Sequence, residues 1–178
     1  MLQNCSILKI AKVFFQEPTT AHYLKEISKK AQLAHTSVSK HLKELIKQDI
    51  IEVKSEKKGK RNFPVYHAKM NETFKRYKRI HNLYVFEDSK IIPYLKDNCM
   101  PRSMTLFGSF AKGEDTEDSD IDIFIESKEK PIKLEVYKRK LKRKIQLHFK
   151  ENFNEYPKEL KNNILNGIVF QGYREIFK

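Results

Sequence analysis

The stretch Leu106-Phe107-Gly108-Ser109-Phe110-Ala111-Lys112-Gly113, followed five residues later by Ser119-Asp120-Ile121-Asp122-Ile123, decides how the second half of this chain is read. Met104–Phe107 has the character of a short buried strand, and it runs into a Gly-Ser turn that opens a helical turn. Ten residues separate Ser109 from Asp120. From Asp120 the pattern alternates, so Asp120 and Asp122 project from one face of a strand while Ile121, Ile123 and Ile125 point to the other. Two carboxylates converging on one point repel each other unless a hard divalent cation lies between them. A Gly-Ser turn offers backbone N–H groups to phosphate, with Gly108 allowing close approach and Ser109 beside it. Together these parts suit a nucleoside triphosphate held with Mg²⁺ or Mn²⁺, its α-phosphorus open to in-line displacement. Lys112 adds positive charge near the phosphates. No structural metal is expected.

These motifs resemble the minimal nucleotidyltransferase family of the DNA polymerase β-like superfamily. The family pattern is a strand, Gly-Ser-x-Ala-Arg-Gly, then Ser-Asp-x-Asp-hydrophobic; here Lys112 replaces the arginine. The likeness spans roughly residues 103–173 and continues into Leu160–Phe170 as a closing helix and strand. It implies a third carboxylate on the next strand. That strand reads Lys144-Ile145-Gln146-Leu147-His148-Phe149, which puts Gln146 in the third position. A glutamine ligates through its carbonyl but adds no charge and is no base. His148, two residues on and hence on the same face, is the possible substitute as proton acceptor or ligand. A partly exposed strand histidine is the plainer reading. Glu151 lies out of register.

The first half reads differently. Ile7, Leu8, Ala11, Phe14 and Phe15 share a helical face that Pro18 ends. Leu24, Ile27 and Ala31 mark a second helix, and Val38, Leu42, Leu45 and Ile46 a third, with Thr36 as its expected N-cap. The brief connection through residues 32–35 makes a helix-turn-helix pattern. After Asp49 the period falls to two, with Ile51, Val53 and Val65 flanking the charged tip Lys54–Arg61, where Gly59 supplies the turn. This order resembles the winged helix-turn-helix of ArsR/MarR-type transcription regulators. Thr36, Ser37, Ser39, Lys40 and Lys43 lie on the outward face of the third helix, suited to bases and phosphates. Lys57, Lys58, Lys60 and Arg61 in the wing suit backbone contacts that position without specifying. The resemblance implies double-stranded DNA as partner and a homodimer as the working state.

Charge supports that division. The net charge is +13, and residues 1–102 hold 21 Lys/Arg against 10 Asp/Glu, so nearly all the excess precedes the Gly-Ser motif. Cys5 and Cys99 match no metal or redox spacing. No apolar run is long enough to span a membrane, so a cytoplasmic protein is expected. The expected fold is α+β: a winged helix-turn-helix over 1–70, a helical connector and possible dimer interface over 71–100, and an α/β nucleotidyltransferase fold with a small mixed sheet over 101–178. Two functions follow. One is a DNA-binding regulator whose second domain binds Mg-nucleotide without turnover, Gln146 having removed a carboxylate. The alternative is an active enzyme transferring a nucleotidyl group such as AMP to a protein or nucleic acid. By resemblance, the acceptor is a helical toxin-like partner and the role that of an antitoxin.

Overall fold

The structure, a computed structural model, describes residues 5–153 and 156–173. It divides into two compact units, one ending at His81 and the other starting at Asn82.

The first unit runs α1 (Ser6–Gln16), β1 (His22–Tyr23), α2 (Leu24–Ala31), α3 (His35–Lys47), β2 (Ile51–Lys58) and β3 (Arg61–Ala68). Ile10, Ala11, Val13, Phe14 and Phe15 of α1 are buried with Ile27 of α2 and Val38, Leu42 and Leu45 of α3. They form one core with Phe74. Tyr23 caps α2, its N–H donating to the Glu26 carboxylate at 3.0 Å. Gln32 takes the left-handed conformation (φ 55°), and the Leu33 N–H returns to the Ser28 carbonyl at 3.1 Å. This tight closure lets α3 begin at His35, with Ala34 as its N-cap. Thr36, the expected cap, therefore sits inside the first turn. The sheet order is β1-β3-β2, all antiparallel. Lys58 pairs with Arg61 across the two-residue turn Gly59-Lys60, and Gly59 has φ +63°. Beyond Ile51 the hairpin leaves the core: Val53 is 47% exposed although it shares Ile51's parity.

Helix α4 (Glu72–Asp88) carries the division within it. Asn71 accepts the Phe74 N–H at 2.8 Å and so caps its start. The chain turns at Ser89-Lys90 into α5 (Ile91–Cys99), with the Ser89 hydroxyl accepting the Ile91 N–H at 3.2 Å. Residues 71–100, expected as a helical connector, hold α4 and α5, and the compact units part between His81 and Asn82, in mid-helix.

The second unit continues with β4 (Met104–Phe107), α6 (Gly108–Lys112), β5 (Ile121–Glu126), α7 (Glu135–Leu141), β6 (Ile145–Lys150), α8 (Lys158–Leu165) and β7 (Ile168–Gln171). Its sheet has the order β6-β5-β4-β7, with β5 and β6 parallel and the other pairs antiparallel. Parallel neighbours need a crossover, and α7 supplies it. One face of the sheet (Met104, Leu106, Ile121, Ile123, Ile125, Ile145) packs in a core with Phe86, α5, Phe110 and Leu141. On the other face Phe107 and Phe124 gather with Phe153 and Ile164 of α8. Alternation places Asp122, Gln146 and His148 on this second face. Among the described residues no helix is long and apolar enough to cross a membrane.

Candidate active site

The site grows from the end of β4 and the start of β5. Phe107 pairs with Asp122 across the antiparallel ladder, which brings Gly108 directly against the Asp122 carboxylate. Gly108 has φ +78°, and a Cβ there would lie 2.5 Å from Asp122 Oδ2. The position thus demands glycine twice, for its backbone conformation and for the carboxylate's room. Ser109 follows on the short helix, and Lys112 ends that helix, exposed to solvent.

Asp120 precedes β5, half-buried, and the loop leading to it is fastened locally. Ser119 Oγ accepts the Thr116 N–H at 2.9 Å, and the Ile121 N–H donates to the Lys144 carbonyl at 2.9 Å. Asp122 Oδ1 stands 3.0 Å from His148 Nε2, and the two side chains are 24% and 18% exposed. The His148 ring packs on Phe107 with centroids 5.0 Å apart. Gln146 lies in register with Asp122 on the neighbouring strand, but it is exposed and no contact ties it to the carboxylate. Glu151 falls past the end of β6.

Sequence reasoning missed a buried polar group behind the Gly-Ser turn. Asn82 donates to the Phe110 carbonyl at 2.9 Å and to Asp115 Oδ1 at 2.7 Å. The Arg143 guanidinium lies 3.6 Å from the same carboxylate. Asp115 and Asn82 are nearly fully buried, so this group ties α4, the 113–120 loop and the start of β6 together. The acid-rich run 114–118 gave no sign of which carboxylate turns inward. Arg143 belongs to the basic run 138–144, which is largely occupied locally: Lys138 pairs with Glu135 at 2.7 Å and Lys140 reaches the Ser89 carbonyl at 3.2 Å. A cavity of about 300 Å³ lies beside this run, bounded by Glu117, Asp118 and Ser119 with Lys138, Lys142, Arg143 and Lys144.

Among the described residues no three His, Cys, Asp or Glu side chains form a cluster able to hold a metal by themselves. Two carboxylates with substrate phosphates as further ligands are a usual setting for Mg²⁺ in phosphoryl-transfer sites. Gly108 leaves the Asp122 carboxylate the space that a side chain there would take.

In the first unit, Thr36, Ser37, Ser39, Lys40 and Lys43 all lie on α3, and Lys57, Lys58, Lys60 and Arg61 are exposed around the hairpin tip. Lys58 Nζ sits 4.2 Å over the Tyr23 ring, and the Tyr23 hydroxyl donates to Glu56. A hydrogen bond with Tyr23 holds the Lys58 ammonium's pKa above its ordinary value. One wing cation is therefore tied back to the start of α2.

Residues 89–174 match the family described as Polymerase beta, Nucleotidyltransferase, and the short strand, Gly-Ser turn and mixed sheet are consistent with a nucleotidyltransferase-type domain. Two relatives match short stretches of the chain. The chain is 59% identical over 32 residues to "Putative protein adenylyltransferase MJ1379" of Methanocaldococcus jannaschii, a match covering 18% of this chain and 32% of that protein. It is 51% identical over 37 residues to "Putative protein adenylyltransferase MJ1215" of the same organism, covering 21% and 43% respectively. The chain thus spans less than half the length of these relatives. No solved structure matches it.

Proposed function

We propose that this protein is a nucleotidyltransferase that moves a nucleoside monophosphate, AMP by the names of its relatives, from a triphosphate to a hydroxyl of a protein acceptor. The observation that carries this reading is the fit of Gly108 against Asp122, which makes a bare backbone and a carboxylate share one small space. Ser109 and the backbone around it bind phosphate oxygens, and Lys112 adds charge from the rim. A divalent cation bound by Asp120 and Asp122 would supply Lewis-acid polarisation of the α-phosphate. The acceptor oxygen bonds to the α-phosphorus, the bond to the β-phosphate oxygen breaks, pyrophosphate leaves and the hydroxyl proton passes to solvent. The loss of a carboxylate at Gln146 weakens cation binding without removing the two ligands nearest the Gly-Ser turn. By resemblance the acceptor is a helical, toxin-like protein, and this chain its antitoxin.

A second role rests on the first unit. Its order of helix, strand, two helices and a two-stranded ribbon, with β1 paired to β3, supports a winged helix-turn-helix. The exposed cations of the ribbon support double-stranded DNA as a partner, with a homodimer as the binding form.

Transfer from α-labelled nucleoside triphosphates, with Mg²⁺ or Mn²⁺ and candidate acceptors, tests the enzyme. Native protein is expected to transfer label, and Asp120→Asn/Asp122→Asn to lose at least about a thousandfold. Transfer seen only after Gln146→Asp would overturn catalysis and leave a nucleotide-binding domain attached to a regulator.

A further inference from the structure

We propose that His148 is a positioning residue: its ring holds the Asp122 side chain in one orientation, with Oδ1 engaged and Oδ2 presented at the Gly-Ser turn. The inference deepens the transfer reading and rests on it for the kinetic consequence alone.

An aspartate on a half-covered sheet face can turn about both side-chain bonds, and the outer bond has only broad preferences. Asp122 is 24% exposed, so its orientation needs a cause. Gly108 does not supply one, because it meets the carboxylate with no side chain. A Cβ there would lie 2.5 Å from Oδ2, and glycine puts space in its place. Gln146 pairs with Asp122 in the strand register, yet it is exposed and makes no hydrogen bond to the carboxylate. Among the described residues, the side chain that donates to Asp122 is His148, with Nε2 at 3.0 Å from Oδ1. A carboxylate oxygen accepts, so Nε2 carries the hydrogen. The ring is itself anchored. It packs on Phe107 with centroids 5.0 Å apart, and Phe107 is buried and pairs with Asp122 across β4 and β5. Phe107, Asp122 and His148 thus form a closed set in which each member is fixed by the other two. With Oδ1 bonded to the imidazole, Oδ2 is the oxygen left facing Gly108, the first residue of the turn assigned to phosphate. A hydrogen-bonding partner that orients a site carboxylate acts on turnover without touching the substrate.

Nuclear magnetic resonance of the full chain, labelled with ¹⁵N and ¹³C, tests the pairing without nucleotide. The native protein is expected to show the His148 hydrogen on Nε2 and, from three-bond couplings, a single χ1 rotamer for Asp122. His148→Phe, which keeps a ring against Phe107, should leave Asp122 averaging among rotamers. In the labelled-nucleotide assay, kcat of His148→Phe is expected to fall roughly ten- to a hundredfold, with KM for the triphosphate changing less than about threefold. His148→Gln, whose amide nitrogen can stand where Nε2 does, should recover kcat to within about threefold of native. A hydrogen on Nδ1 alone, or an Asp122 that averages in the native protein, overturns the inference whether or not any variant folds. So does native kcat in His148→Phe, a loss confined to KM, or His148→Gln no better than His148→Phe. An ordered pair without nucleotidyl transfer would sustain the positioning of Asp122 while the enzyme reading fails; transfer with a disordered pair would do the reverse.

Discussion

The two sheets of this protein treat charge in opposite ways. In the second unit the candidate site groups lie on a half-covered face: Asp122 sits between Gly108 and His148, and its neighbours leave it little freedom. In the first unit the charges ride on a ribbon whose first strand, past Ile51, is nearly all exposed. A site that acts on one phosphorus atom needs carboxylates held to a fraction of an ångström. A surface that meets a polyanion needs charge in the right region, and flexible side chains suffice. The contrast predicts that single-atom changes break the second unit's function, while the first unit's erodes by increments.

The sharpest break is Gly108→Ala. The added methyl would lie 2.5 Å from Asp122 Oδ2 on a backbone with φ +78°. Asp122 must shift, so nucleotidyl transfer is expected to fall at least about a hundredfold in the labelled-nucleotide assay. Transfer within about threefold of native would mean that the carboxylate's position is not what the site depends on.

The wing gives a graded answer. Lys57, Lys58, Lys60 and Arg61→Ala is expected to weaken duplex DNA binding about a hundredfold at moderate salt and to flatten the salt dependence by about three counterions. Three are expected instead of four because Lys58 already lies over Tyr23. Fluorescence anisotropy at several salt concentrations checks both figures, and an unchanged slope would remove the ribbon from the DNA interface.

How much of this was legible beforehand follows from range. The alternation of Asp120–Ile125 and the Gly-Ser turn are local patterns, and β4, β5 and the face carrying Asp122 could be read from them. The hairpin about Gly59 was local as well. Strand β1 is two residues long, too short to show a period, and exists because His22 and Tyr23 pair with Tyr66 and Val65. The mid-helix division was invisible because α4 keeps its helical period through His81 and Asn82. The Asn82–Asp115–Arg143 group is also tertiary: its members lie up to 61 positions apart in sequence and meet only after folding. Gln146 was recognised from strand alignment, but nothing in the sequence showed that it would face solvent while His148 turned inward.

That tertiary group yields a smaller prediction. Asn82→Ala removes two donors from buried acceptors, the Phe110 carbonyl and Asp115. A loss of about 2–3 kcal/mol in unfolding free energy is expected, since a buried acceptor deprived of its donor costs more than an average hydrogen bond contributes. Denaturant titration measures it. A change under about 0.5 kcal/mol would show that Asp115 is satisfied without Asn82.

The smallest effect sharpens the first unit's side of the comparison, where His22 is buried and His81 half-buried. Burial, with Lys12 and Lys78 adding to it, lowers the His81 pKa from 6.5 to about 4. His22 is lowered too, chiefly by burial and then by Lys30, while Glu17 works against the shift. A base whose folded pKa is depressed is neutral in the native state and takes up its proton more readily when unfolded. Its stabilisation is present above pH 6.5 and is lost as pH falls toward 4. Replacing His81 with Gln removes that titration, so the stability lost between pH 7.5 and 4.5 should shrink by on the order of 2 kcal/mol. His22→Gln should shrink it less, since Glu17 partly offsets the cost of charging His22. Denaturant titrations at the two pH values decide between them. A larger effect from His22 would mean that the Glu17 contact, at 3.7 Å, does little to favour the charged ring and that burial alone governs it.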